Sequence, residues 1–148
     1  MVVVALDVGQ ARIGVAVSDD SGVLASPHSV VRRKSNAAAV EEIARIYAAT
    51  GAAALVIGLP ISLDDALRGQ AHAVRAFGQR VAAALGVVPI YQDERYSTVI
   101  AAERLRAAGV RPDRIKERID AVAAAVILQD YLDDARPREQ AGAEGGFD

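Results

Sequence analysis

Three stretches of the chain set carboxylates into apolar surroundings. The run "VVVALDVGQARIGVAVSDD" (residues 2–20) carries Asp7 where its first apolar segment ends. "YQDERYST" (91–98) places Asp93 and Glu94 at the end of another, and "RIDAVAAAVIL" (118–128) embeds Asp120 among alanines and aliphatics. A lone carboxylate is costly to bury unless it is paired or holds a cation, and converging carboxylates repel unless a cation sits between them. An all-oxygen set of this kind suits Mg²⁺ or Mn²⁺, with water and substrate phosphate completing the shell. Two such ions, roughly 3.5–4 Å apart, would activate a water and stabilise the leaving oxygen of a phosphodiester. Each acid also has a plainer reading. Asp7 can make a strand-end turn before Gly9, Asp93 and Glu94 can cap or pair with Arg95, and Asp120 can be a first-turn acid favoured by the helix dipole. The two histidines, His28 and His72, stand at no metal-like spacing, and Asp19, Asp20, Asp64 and Asp65 read as turn or loop acids.

These residues need elements to bring them together. Val2–Leu6, Arg12–Val17 and Val23–Val31 read as strands, the third with Pro27 marking an edge or a bulge. Asn36 caps a helix over Ala37–Thr50 that stops at Gly51. Ala53–Ile57 is a buried strand, and residues 59–69 are a polar loop. A helix then runs to Leu85, followed by a strand over Val87–Tyr91. Ser97 or Thr98 caps a helix ending near Ala108, and Pro112 opens a last helix reaching Leu132. The order predicts a three-stranded antiparallel opening followed by parallel strands joined through helices. Asp7, the "GLP" segment and "QDER" then all fall at the carboxyl ends of strands, where ligands bind in open sheets of this kind. Gly9 reads as room for the backbone beside ions and phosphate, and Gly14 as a point of close packing.

The chain has 148 residues, enough for one domain (1–135), with 136–148 reading as a disordered acidic tail. The absence of cysteine excludes disulfides, zinc–thiolate sites and a cysteine nucleophile. Aromatics are only 4%, which excludes extensive base stacking as the main binding mode. With no signal-like or membrane-spanning segment, the expected location is cytoplasmic. The net charge of −2 conceals an asymmetry: residues 130–148 carry −4, while Arg95 to Arg118 hold seven bases against three acids. That stretch, including Arg104, Arg111, Arg114 and Lys116, would carry a nucleic-acid backbone, with Arg32, Arg33 and Lys34 as a second patch. Its plainer reading is a solvated helix face.

The stretches "LDVGQARIGVAVSD" (6–19), "LVIGLP" (55–60), "YQDERYSTVIAAERL" (91–105) and "IDAVAAAVILQDYL" (119–132) strongly resemble the YqgF/RuvX family. That family is described as pre-16S rRNA nucleases and Holliday-junction-resolvase-like proteins. The resemblance implies an RNase H-like fold, an α/β mixed five-stranded sheet flanked by helices. It implies catalytic, metal-binding carboxylates at Asp7, Glu94 and Asp120 with Mg²⁺ or Mn²⁺, leaving the role of Asp93 open. It implies that Arg12 and Arg95 help hold the site or the phosphate, with Ser97 and Thr98 close by. Three departures stand out. "PISLDDALRGQ" has Asp65 where a glycine is expected after Asp64, Tyr96 replaces a leucine, and Gly58 stands near the position where the related RuvC resolvases carry a glutamate.

The expected function is metal-dependent endonucleolytic cleavage of structured nucleic acid, processing precursor 16S rRNA ends. The alternatives are a Holliday junction resolvase, for which a homodimer would place two sites on two strands, and a non-catalytic nucleic-acid-binding factor. An ATP-binding module, suggested by the "D-x-G" opening, would need a second domain.

Overall fold

The computed structural model describes residues 1–60 and 65–136, with side chains described from residue 68 onward in the helix that opens at Asp65. The expected disordered tail therefore lies, apart from Arg136, outside the described residues, as do Asp64 and most of the loop after Pro60. Five strands and four helices are described: β1 (Val3–Val8), β2 (Arg12–Ser18), β3 (Ala25–Arg32), α1 (Asn36–Thr50), β4 (Ala54–Leu59), α2 (Asp65–Leu85), β5 (Ile90–Asp93), α3 (Ser97–Ala107) and α4 (Pro112–Asp134). The sheet order is β3-β2-β1-β4-β5. β1–β2 and β2–β3 are antiparallel, whereas β1–β4 and β4–β5 are parallel. This is the mixed sheet the sequence predicts. Pro27 lies on the edge strand, at the point where the β2–β3 register shifts between Val15 and Ala16.

Several boundaries differ from expectation. Ser35, not Asn36, caps α1, because its hydroxyl accepts from Ala38 N. α2 begins at Asp65, inside the stretch read as a loop. β5 starts three residues later than expected, at Ile90. α3 has no side-chain cap; Tyr96 occupies the position with a left-handed backbone (φ 64°). Such a backbone is an outlier for a bulky residue.

Strand alternation sorts the core into two layers. Val4, Leu6, Ile13, Val15, Leu55 and Ile57 face α1 and α2, where they meet Ile43, Phe77 and Val81. Val3, Ala5, Ala16, Ala54 and Val56 face α4 and meet Ala124, Ala125, Ile127 and Leu128. Asp7 has the parity of Val3 and Ala5, so it belongs to the α4 layer. Among the described residues, no helix is long and apolar enough to cross a membrane.

Candidate active site

Asp7 lies within β1, opposite Gly14 of β2 in the antiparallel register. The strand-end turn reading of Asp7 therefore fails: its side chain is directed by strand alternation to the face α4 covers. A Cβ at Gly14 would lie 1.9 Å from the backbone carbonyl oxygen of Asp120. Only glycine lets α4 descend onto β2 at this point, and that descent brings Asp120 beside Asp7. Asp120 is the ninth residue of α4, well past the first turn, so the helix-dipole reading fails as well.

Glu94 arrives from the other side. It follows β5, and its backbone N–H donates to Leu59 O (3.2 Å). A Cβ at Gly58 would lie 3.0 Å from Glu94 Oε2 and 2.5 Å from Ile127 Cδ1. The fourth strand thus supplies no acid of its own at Gly58, but it leaves the space into which an acid from beyond the fifth strand folds. A missing side chain as a positive feature has no signature in a single sequence, which is why this role was not legible.

The electrostatics follow from this crowding. Burial, then the nearby charges of Glu94 and Asp120, push the Asp7 carboxyl up to about 7. Burial also raises Glu94, against the hydrogen bond from Asp7, which favours its charged form. The mutual hydrogen bond thus favours a protonated Asp7 beside an ionised Glu94. Asp120 also has a cationic partner: Arg12 Nε donates to Asp120 Oδ2 at 2.9 Å. Among the described residues, no three His, Cys, Asp or Glu side chains stand together in metal-ligating geometry. The Asp7–Glu94 pair nevertheless has the chemistry of a hard-cation site, being two partly buried carboxylates that a divalent ion would relieve of their repulsion. Mg²⁺ commonly takes only one or two protein carboxylates together with substrate phosphate and water.

The neighbouring expectations separate. Asp93 keeps its plainer role: its carboxylate accepts from Arg95 N (2.8 Å) and pairs with Arg95 Nη2 (3.5 Å), tying the turn into α3. Arg95 is thus engaged with Asp93 rather than with the buried acids. Ser97 is buried and its backbone N–H donates to Glu94 O, while Thr98 is exposed. In the basic stretch, Arg111 pairs with Asp113, Arg114 pairs with Glu117, and Arg104 acts electrostatically on Asp130. Much of its charge is compensated within the helices, whereas Lys116 is exposed one turn before Asp120 and in no ion pair among the described residues. The glycine at position 9 serves the hairpin itself, since a Cβ there would lie 2.6 Å from Arg12 O, to which Gly9 N donates.

Arg33 is also committed internally. It donates to Gly9 O and to Asn36 Oδ1 (both 2.9 Å) and lies over the Phe77 ring at 4.4 Å. It thereby fastens the β1–β2 turn to α1 and α2. Beside it a cleft of about 470 Å³, lined in part by Gln10, Arg33, Gln70 and Glu94, opens on the α2 side of the sheet end.

Comparison with known proteins agrees with this architecture. Among solved structures, the Thermus thermophilus RuvC in complex with a Holliday junction substrate is 18% identical, with a TM-score of 0.53 over 89% of this chain and 93% of that one. The Fowlpox virus resolvase, in complex with Holliday junction DNA, is 10% identical with a TM-score of 0.55 over 93% and 100%. At that identity these show a shared RNase H-like fold. Sequence relatives are much nearer. A Chloroflexus aggregans protein named "Putative pre-16S rRNA nuclease" is 42% identical over 90% of this chain and 94% of its own length. One of the same name from Mycobacterium sp. (strain KMS) is 41% identical over 97% and 86%. The family profile described as "RuvX: Holliday junction resolvase" matches residues 1–134, which take in every strand and helix around the paired acids, and the chain belongs to that family.

Proposed function

We propose that this chain is a metal-dependent endonuclease that hydrolyses phosphodiesters of structured nucleic acid, with precursor 16S rRNA ends as its substrate. The observation that carries this reading is the side-by-side placement of the Asp7 and Glu94 carboxyls. It lies at the carboxyl end of the central strands, with Asp120 delivered beside it through Gly14. Two partly buried acids set against each other burden the fold, and a cation and a phosphate would relieve that burden.

Asp7 and Glu94 would hold the ion, and Asp120 would complete the set on leaving Arg12. Bound Mg²⁺ or Mn²⁺ would lower the pKa of an attacking water and neutralise charge developing on the phosphate, in the two-ion form if both positions fill. The chain's own residues do the positioning. The β1–β4–β5 register fixes Asp7 against Glu94, α4 fixes Asp120, and Arg12 steadies Asp120 until substrate is present. Arg95, Ser97 and Thr98 frame the turn that presents Glu94, and Arg104, Arg111, Arg114 and Lys116 belong to the helical surface leading away from it.

The choice of RNA over a DNA junction rests on the names of relatives at 37–42% identity over about nine-tenths of the chain. The junction-bound structures are far more distant. A junction resolvase remains the second reading because the family's own description names one, and it would require a homodimer. The reading places the protein in the cytoplasm, where ribosomes are built, as a single catalytic domain over residues 1–135.

The test is cleavage of a precursor-rRNA end fragment beside a four-way DNA junction, with Mg²⁺ or Mn²⁺. Wild type cuts the RNA fragment, and Asp7→Asn loses cleavage while its circular dichroism spectrum and melting stay native-like. An Asp7→Asn protein that cuts as fast as wild type overturns the assignment. Binding without cleavage under every condition would instead identify a non-catalytic factor.

A further inference from the structure

Arg12 and Arg32 are direct cross-strand partners at the end of the β2–β3 pair. Both therefore project to the face that α4 covers, on the side of Asp120. Like charges placed directly opposite on neighbouring strands are destabilising, so the pairing is not explained by the stability of the sheet. Arg12 spends its Nε on Asp120, leaving its remaining guanidinium donors. Arg32 and Lys34 are exposed, and neither has an ion pair or hydrogen bond among the described residues. A shallow cleft of about 320 Å³ is walled by Ala11, Arg12, Arg32, Arg33 and Lys34, with no acid in its lining. Apart from Asp120, which Arg12 engages, acids come close only in the adjoining depression with Arg32 and Lys34: Glu41, which is paired with Arg45, and Glu42.

We infer that the Arg12–Arg32–Lys34 cleft is a seat for the phosphate backbone of the substrate strand. This rests on the nuclease reading above and deepens it by assigning a path. Strands lie about 4.8 Å apart and rise about 3.3 Å per residue, so Arg32, two strands across and two residues along from Asp7, stands roughly 12 Å from it. A nucleic-acid strand rises about 3.4 Å per nucleotide. The seat therefore holds a phosphate within about four nucleotides of the one being cut. Arg12 joins the two places, because it forms a wall of the cleft and touches Asp120. The strand accordingly enters over the β2–β3 edge, the opposite flank of α4 from the one built by α3. On the α3 flank much of the basic charge is already answered: Arg95 pairs with Asp93, Arg111 with Asp113 and Arg114 with Glu117.

The test measures binding of a fluorescein-labelled RNA hairpin with single-stranded ends, without divalent metal, so that it does not depend on cleavage. Arg32→Ala and Lys34→Ala each weaken binding about tenfold, and the double variant about 100-fold. The double variant also flattens the plot of log affinity against log salt by about 1.4–1.8. Arg80→Ala, on α2, is the matched control and leaves both unchanged. In cleavage, the double variant raises KM and holds kcat. Native-like melting of the double variant confirms that the loss is one of contact. Unchanged affinity and salt slope in that variant overturn the seat even if the protein is a nuclease. Loss of binding in a protein that cuts nothing would retain the seat and reject the nuclease reading. If inorganic phosphate raises the wild-type melting temperature as much as the hairpin does, and fails to do so in the double variant, the cleft serves a free phosphate-bearing ligand and the strand path is wrong.

Discussion

The two faces of the sheet are built from different residues. The α1/α2 face is packed with Phe77, Leu6, Ile13, Ile43, Leu55 and Ile57, all nearly or fully buried. On the α4 face alanine makes up half of the buried layer, and at Gly14 there is no side chain at all. Large side chains contribute more burial and keep helices at a greater distance. Small ones contribute less and let a helix backbone approach a strand closely. The first face supplies most of the stability, and the second supplies position, holding Asp120 at a fixed height above Asp7. The proposed chemistry sits on the face that contributes less to stability.

This contrast can be broken or sharpened by experiment. Phe77→Ala should cost about 3–5 kcal/mol in chemical denaturation, by emptying the thicker layer. The variant that remains folded should keep its cleavage rate, and a rate that fell in proportion would mean the two layers are not separable.

The second effect is electrostatic and confined to the α4 layer. Asp7 has a folded-state value raised to about 7 from 3.8. The native protein therefore holds a proton that the unfolded chain has already released, and metal-free stability should fall as pH rises from about 4 to about 7. The loss should be roughly 3 kcal/mol. Asp7→Asn should flatten that slope, and Mg²⁺ should restore stability above pH 7 in wild type only. Denaturant titrations across this range would show it, and a slope unchanged in the variant would assign the effect elsewhere.

Gly14→Ala comes next. Its methyl group would meet backbone rather than a movable side-chain end, so α4 must shift. A displacement on the order of 1 Å at a reacting group can lower a rate about 100-fold. Single-turnover cleavage should show that fall with only modest loss of stability. Gly58→Ala should be smaller, about tenfold or less, because the atoms it meets belong to the side chains of Ile127 and Glu94 rather than to backbone. If Gly58→Ala proved worse than Gly14→Ala, the position of Glu94, rather than the height of α4, would be the tighter constraint.

Much of this was legible in the sequence. The apolar runs and their spacing indicated the five strands, the mixed order and the sheet end where the acids gather. The close approach at Gly14 was also foreseen. What failed were features that depend on what a residue touches. Asp93 and Glu94 are adjacent and alike in sequence, yet one ties a turn to Arg95 and the other is folded over Gly58. The basic run at 95–118 looked uniform, but ion pairs neutralise three of its arginines. Sequence adjacency groups Arg33 with Arg32 and Lys34, whereas Arg33 is consumed by Gly9, Asn36 and Phe77. Charge partners of this sort are set by register and helix rotation, which periodicity does not resolve.

The acids at 7, 94 and 120 also carry a consequence in time. Asp7 emerges almost at once during synthesis. Glu94 needs the parallel strand β5 seated beside β4, and Asp120 needs a helix that crosses back over strands more than a hundred residues earlier. A growing chain that has produced the β1–β2 hairpin owns one acid and no partner for it. The full set exists only after α4 has left the ribosome and docked on Gly14, so on the nuclease reading proposed above a nascent or prematurely ended chain lacks the acids needed to cut.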